Sequence, residues 1–139
     1  MEEQITKKVT YQRFWAIVFL AMGPLNLFLG YQVNREINMV LGFVFLIMGI
    51  LYFFSAAVVY SSTQLEIKNL LGMTAKRYSF EEDGFAIKNK RIYVNGKRIA
   101  ISSMTVNKKE WHELLVFISD KIESQHVVNE FSDDQVLDN

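Results

Sequence analysis

The chain has no cysteine among its 139 residues. That absence excludes disulfides, thiolate nucleophiles and cysteine-ligated metals. Histidine is nearly missing too. His112 and His126 are the only two, and neither has a metal-ligand spacing with a partner. There is no Gly-rich phosphate loop, and no nucleophile motif flanks Ser102 or Ser103. Glu81, Glu82 and Asp83 read as a solvated turn rather than as a working carboxylate pair. No recognition helix or aromatic–basic stacking platform is present, so no nucleic-acid partner is expected. The chain is therefore expected to be neither an enzyme nor a holder of a metal or cofactor.

Charge is absent from two long stretches, residues 14–34 and 37–65, with only Arg35 and Glu36 between them. Helices over residues 14–34 and 37–60 would reach about 31 Å and about 36 Å, enough to cross a bilayer core of about 30 Å. A cleaved leader is disfavoured, because no small-residue cleavage site follows the first run and a second run comes at once. The expected organisation is a cytoplasmic segment 1–12, a transmembrane hairpin 13–60 (spans 14–33 and 37–60), a cytosolic domain 64–124 and an acidic, disordered tail 125–139. Val127, Val128 and Phe131 could serve as a docking segment within that tail. Lys7, Lys8 and Arg13 precede the first span, and Lys68, Lys76 and Arg77 follow the second. The loop carries Arg35 alone, which places both termini in the cytoplasm of a cell whose inner membrane holds the hairpin.

Small residues recur along both spans. Ala16, Gly23 and Gly30 repeat in the first, and Gly42, Gly49 and Ala56 in the second. Paired as Ala16–Ala56, Gly23–Gly49 and Gly30–Gly42 they share one register, which would let the two backbones approach closely. Pro24, the only proline, removes a backbone donor and frees the Leu20 carbonyl. Asn26 is expected to hydrogen-bond to a neighbouring helix. No ionisable residue lies within either span, so an ion or proton pathway is poorly supported.

Beyond Tyr60 the apolar period becomes two. Leu65/Ile67, Tyr78/Phe80, Phe85/Ile87, Ile92/Val94 and Ile99/Ile101 mark about five short antiparallel strands. Asn95-Gly96 signals a tight hairpin that sets Tyr93 opposite Arg98. Lys88-Asn89-Lys90 is expected to be a turn or bulge. Asn107 caps a closing helix with Glu110 at its third position, and Val106 can staple to Trp111. Trp111, Leu114, Leu115, Ile118 and Ile122 form the stripe that should cover the sheet. Val116 and Phe117 fall off it. The fold class is thus a two-helix membrane hairpin plus a small α+β domain, a β-meander with a C-terminal amphipathic helix.

Tyr78–Asn89 (YSFEEDGFAIKN) and Ile101–Ile118 (ISSMTVNKKEWHELLVFI) resemble the bacterial pleckstrin-homology-like domains, which often follow a pair of membrane helices. The shared features are an acidic turn ending in Gly, a strand running to an Ile-Ser segment, and a terminal helix on the sheet. The resemblance covers residues 64–124. It implies binding and scaffolding rather than catalysis. A full fold of that type has about seven strands, where five are legible here. Lys88, Lys90, Arg91, Lys97 and Arg98 make the sheet basic. They are either a solvated strand face or a contact for anionic lipid headgroups or a membrane-protein partner. The expected function is a membrane-anchored binding or scaffolding module. The alternative is an accessory subunit of a larger membrane complex.

Overall fold

The computed structural model describes residues 5–101 and 103–133, with side chains described as far as residue 126. The elements run β1 (Lys7–Thr10), α1 (Arg13–Val33), α2 (Glu36–Phe54), β2 (Ala56–Tyr60), β3 (Gln64–Lys68), β4 (Thr74–Ser79), β5 (Phe85–Lys88), β6 (Arg91–Val94), β7 (Lys97–Arg98) and α3 (Lys108–Asp133). One antiparallel sheet has the order β1-β2-β3-β4 and a second the order β5-β6-β7. α1 and α2 are each long and apolar enough to cross a membrane.

Seven strands among the described residues replace the five expected. The second helix stops at Phe54 rather than at Tyr60, and Ala56–Tyr60 is a strand. Ser55 turns to extended backbone, and its hydroxyl donates to the Leu70 carbonyl. The segment AAVVY looked like helix because it is apolar throughout. It is apolar because β2 lies between β1 and β3, with Ala57, Val58 and Tyr60 buried. A continuous apolar run does not distinguish a helix from a central strand. Lys7–Thr10 read as a basic flank of the first span, yet it pairs with β2, Lys8 opposite Val59 and Val9 opposite Val58. Only Val9 of this strand is fully buried, so its signal is a single residue.

The helical hairpin is closed by a two-residue turn. Asn34 takes a left-handed conformation (φ 51°), and the Arg35 N–H donates to the Gly30 carbonyl at 3.0 Å. That tight turn sets the register. A β-carbon built on Gly23 would lie 2.6 Å from Leu46, on Gly42 2.6 Å from Leu27, on Gly49 2.7 Å from Leu20, and on Gly30 2.7 Å from Met39. Each glycine is therefore a hole for a leucine or methionine of the other helix. The expected glycine-against-glycine register was wrong by three residues, since it placed the turn too far along the chain. Ala16 is buried at the foot of α1, but Ala56 lies in β2 opposite Thr10. Asn26 donates to Met22 within its own helix, at 2.9 Å, not across to a neighbour. Phe19 adds ring contacts with Phe45 and Tyr52 across the pair.

The two sheets and α3 enclose one core. Val9, Val58, Leu65, Ile92, Val106, Leu114 and Ile118 are fully buried in it. Trp111, Leu114 and Ile118 of the helical stripe are buried as the spacing requires. Phe117 is also recruited, against the rings of Tyr60 and Phe80 at 5.1 and 5.7 Å. Val116 is 46 % exposed. α3 continues through residues 125–133, where a disordered tail was expected, and Gln125 bonds the Phe80 carbonyl. Residues 134–139 of that tail, and the side chains of Val127, Val128 and Phe131, lie outside the described residues.

Candidate functional site

The basic residues sit on the smaller sheet, and the strand pairings decide how they are grouped. β5 and β6 are joined by Asn89 and Lys90, both with positive φ (52° and 59°). Such a two-residue turn follows the twist of a hairpin, but it costs a residue that carries a β-carbon. Lys88 pairs with Arg91, and Tyr93 pairs with Ala86 on one side and Arg98 on the other. Ile92 and Val94 point into the core. By alternation Arg91 and Tyr93 point out, and Lys88 and Arg98 share that outer face. All five basic residues, Lys88, Lys90, Arg91, Lys97 and Arg98, are exposed.

They do not form one patch at one end. The Asn95-Gly96 turn is clasped to the acidic turn at the end of β4. Asn95 donates to Asp83 at 2.7 Å and its backbone N–H donates to the Gly84 carbonyl at 2.8 Å. The other Asp83 oxygen accepts the Ser79 N–H at 2.8 Å. Asp83 is thus a structural clasp, and Lys97 and Arg98 begin beside it. The Asn89-Lys90 turn lies at the opposite end of β6, about 13 Å away for a strand of that length. There the Trp111 indole donates to the Lys90 carbonyl at 3.2 Å. Trp111 is one turn into α3 from Asn107, whose N–H donates to the Thr10 carbonyl at 2.9 Å. The Gln12 N–H reaches the Thr105 carbonyl, also at 2.9 Å, and Tyr11 bridges to Val106. Lys88, Lys90 and Arg91 are therefore near the foot of α1.

This arrangement draws in residues that the sequence reading passed over. Lys90, Ser103, Met104, Lys108 and His112 surround a groove of 390 Å³ whose floor is Trp111 and Leu115. Lys108 belongs to the Lys108-Lys109 pair that opens α3, and a basic pair at the start of an amphipathic helix was the available signal. On the far side of the hairpin, the Ser55–Leu70 bond brings the β3–β4 turn to the foot of α2. Leu71 and Met73 of that turn are 65 % and 57 % exposed, and Met104 is 76 % exposed. The helix-side rim of the domain thus carries exposed apolar side chains on both sides of the hairpin, Met104 among them beside Lys90 and Lys108. On the larger sheet two cations share one carboxylate. Arg77 pairs with Glu66 at 2.7 Å, and Lys68 lies 3.7 Å from the same carboxylate.

Among the described residues no group of His, Cys, Asp and Glu is gathered to hold a metal. The Tyr60 phenol is pushed above its ordinary pKa by burial, and further by the carboxylates of Glu113 and Glu110. No protein-family model, no curated relative and no solved structure matches the chain.

Proposed function

We propose that this chain is a membrane-anchored, non-catalytic binding or scaffolding module whose soluble domain is pleckstrin-homology-like. The observation that carries the reading is the surface of the helical hairpin. Ile17, Phe28, Phe43 and Ile47 are each 58–60 % exposed, and α1 and α2 pack on each other. A core helix of a soluble protein buries such residues; an apolar solvent leaves them outside at no cost. The strands β1 and β2 extend the same hairpin, so the domain is held directly against the surface that the helices would enter. Among the described residues there are seven strands in two sheets, closed by a C-terminal helix, which supports the resemblance to a full pleckstrin-homology-like roll of about seven.

The module faces the cytoplasm of the inner membrane in this reading, because the basic residues cluster at the domain end of the hairpin. Its non-catalytic character rests on the missing nucleophile, phosphate-loop and metal motifs in the sequence. The test uses the absence of native cysteine. The chain should stay with the membrane on alkaline carbonate extraction. In intact cells a membrane-impermeant thiol reagent should label Asn34→Cys and not Ser62→Cys. Extraction into the soluble fraction would end the membrane reading, and labelling at Ser62 alone would reverse the orientation.

The alternative, an accessory subunit of a larger membrane complex, draws on the breadth of that same apolar surface. Another membrane protein would cover it as well as lipid does. A stable stoichiometric complex surviving mild-detergent purification favours the subunit, and a lone chain favours the module.

A further inference from the structure

We infer that the groove between the β5–β6 turn and the first turns of α3 binds the headgroup of an anionic phospholipid. The inference rests on the membrane reading above and gives it a ligand. Three observations converge on this place. First, the groove has the size of a small-molecule site, 390 Å³. It places the cations Lys90 and Lys108, with His112, around an apolar floor of Trp111 and Leu115. A phosphodiester with a glycerol backbone presents that same pairing of negative charge and apolar body.

Second, the groove lies at the right height. Asn107 and Thr105 are hydrogen-bonded to Thr10 and Gln12, the last residues before α1 begins. Trp111 follows Asn107 by four helical residues, about 6 Å of rise. A lipid packed beside α1 would bring its phosphate to this level, with Met104 in reach of the acyl boundary.

Third, Lys90 stands where its backbone is unfavourable. At φ 59° a glycine would be relaxed, and a lysine is not. The Trp111 indole holds the turn in place through the Lys90 carbonyl, so the lysine side chain is projected from a fixed point. Asn89 shares the left-handed backbone that a two-residue hairpin turn demands, but of the two only Lys90 lines the groove. Lys97 and Arg98, at the other end of β6, share none of these features.

The experiment uses the full chain in detergent with Trp15→Phe, which leaves Trp111 as the sole tryptophan. Its emission is followed on titration with dihexanoyl phosphatidylglycerol, dihexanoyl phosphatidylcholine or inorganic phosphate. Phosphatidylglycerol should give a saturable change, and phosphatidylcholine none. Lys90→Gly should weaken binding about fivefold, the effect of one juxtamembrane cation, while folding at least as well because it removes the left-handed strain. Lys90→Glu with Lys108→Glu should weaken it by more than about tenfold. Lys97→Glu with Arg98→Glu should leave it unchanged. An equal response to phosphatidylcholine, or indifference to Lys90 and Lys108, overturns the inference. So does inorganic phosphate binding as tightly as the lipid, which would make the groove a site for free anions. Carbonate extraction of the membranes from which the chain is purified keeps the two readings apart. A chain retained in the membrane that ignores phosphatidylglycerol refutes the groove alone, whereas a chain that leaves the membrane refutes the anchor beneath it.

Discussion

One oxygen of the Glu110 carboxylate lies 2.6 Å from the backbone nitrogen of Thr10 and 2.8 Å from its hydroxyl, across a separation of 100 residues. A bulge in the β1–β2 ladder between Val9 and Thr10 interrupts the pairing there, and Glu110 receives the Thr10 N–H. The strand that leads into α1 is thereby fastened to the first turn of α3. Asn107 accepts the N–H groups of Lys109 and Glu110 as an N-cap. The Glu110 side chain does not return to Asn107, as a capping box would have it, but reaches Thr10 instead.

Removing that carboxylate should therefore loosen the joint between hairpin and domain. Glu110→Ala leaves a partly buried N–H and hydroxyl without their acceptor, at a cost of about 1–3 kcal/mol. Glu110→Gln keeps an acceptor oxygen and should cost less. Thermal melting of the full chain in detergent, followed by circular dichroism, ranks the two. An alanine variant as stable as the parent would show that the joint is held elsewhere.

The glycines of the hairpin differ from the glycines of the turns in what an added methyl would meet. At Gly42 it would lie 2.9 Å from the Gly23 carbonyl oxygen, and at Gly49 3.0 Å from the Leu20 nitrogen. Backbone atoms cannot swing aside, so Gly42→Ala and Gly49→Ala should each destabilise the helix pair by about 1–3 kcal/mol. Gly84→Ala meets only the Asn95 side chain, at an ordinary 3.5 Å, and should be nearly neutral. Phe45→Leu loses the stacking with Phe19 and should cost an intermediate amount, about 0.5–1.5 kcal/mol, because lipid adds no hydrophobic drive between the helices. Detergent melting temperatures in the order Gly84→Ala, Phe45→Leu, Gly42→Ala, falling, are the expected result.

How much of this was legible beforehand depended on whether the signal was local. The two apolar helices, the β6–β7 turn with Tyr93 opposite Arg98, and the Trp111–Leu114–Ile118 stripe all follow from residues close in sequence. Strand β1 was not legible, because KKVT has one buried side chain and its partner lies across the whole hairpin. Strand β2 was hidden by being apolar on both faces. The basic site was read as one cluster because Lys88–Arg98 is short in sequence. The four residues of β6 separate its ends, and the Asp83 clasp and the Trp111–Lys90 bond place those ends apart. Lys108 joined the groove only through the docking of α3.

Burial and the nearby carboxylates of Glu113 and Glu110 raise the pKa of Tyr60, and burial beside Tyr52 raises that of Tyr11. Near pH 10 the unfolded chain begins to release these protons while the folded chain keeps them, so the unfolded state binds fewer. The contribution to stability is complete below about pH 10 and is lost as pH climbs through the raised folded values. Midpoints of urea unfolding measured from pH 8 to 11.5 should fall above pH 10. Tyr60→Phe should make that fall shallower, and an unchanged slope would mean that other groups govern it.

The α+β domain begins before the helical hairpin, at Lys7 of β1. A boundary after Tyr60 looks natural in the sequence, and a fragment starting at residue 62 would be the obvious one to isolate. The structure argues against it. Such a fragment lacks β1 and β2, and with them the buried Val9, Ala57, Val58 and Tyr60. It also leaves β3 with one open edge, an invitation to pairing between molecules. That fragment should aggregate or remain unfolded. The chain offers a better cut, because Thr10 already faces Ala56 across the ladder. Replacing residues 12–54 by Asn-Gly would join Tyr11 to Ser55 through a two-residue turn suited to an antiparallel hairpin. It deletes both apolar helices and keeps β1 to β7 and α3. The expected product is soluble and monomeric, melts cooperatively, and shows an amide spectrum with β-dispersed resonances. The fragment from residue 62 should show neither cooperativity nor dispersion. If the shorter fragment folds alone, β1 and β2 are an accessory stem of the hairpin. If the joined chain fails while its strands are intact, the helices themselves hold the sheet together.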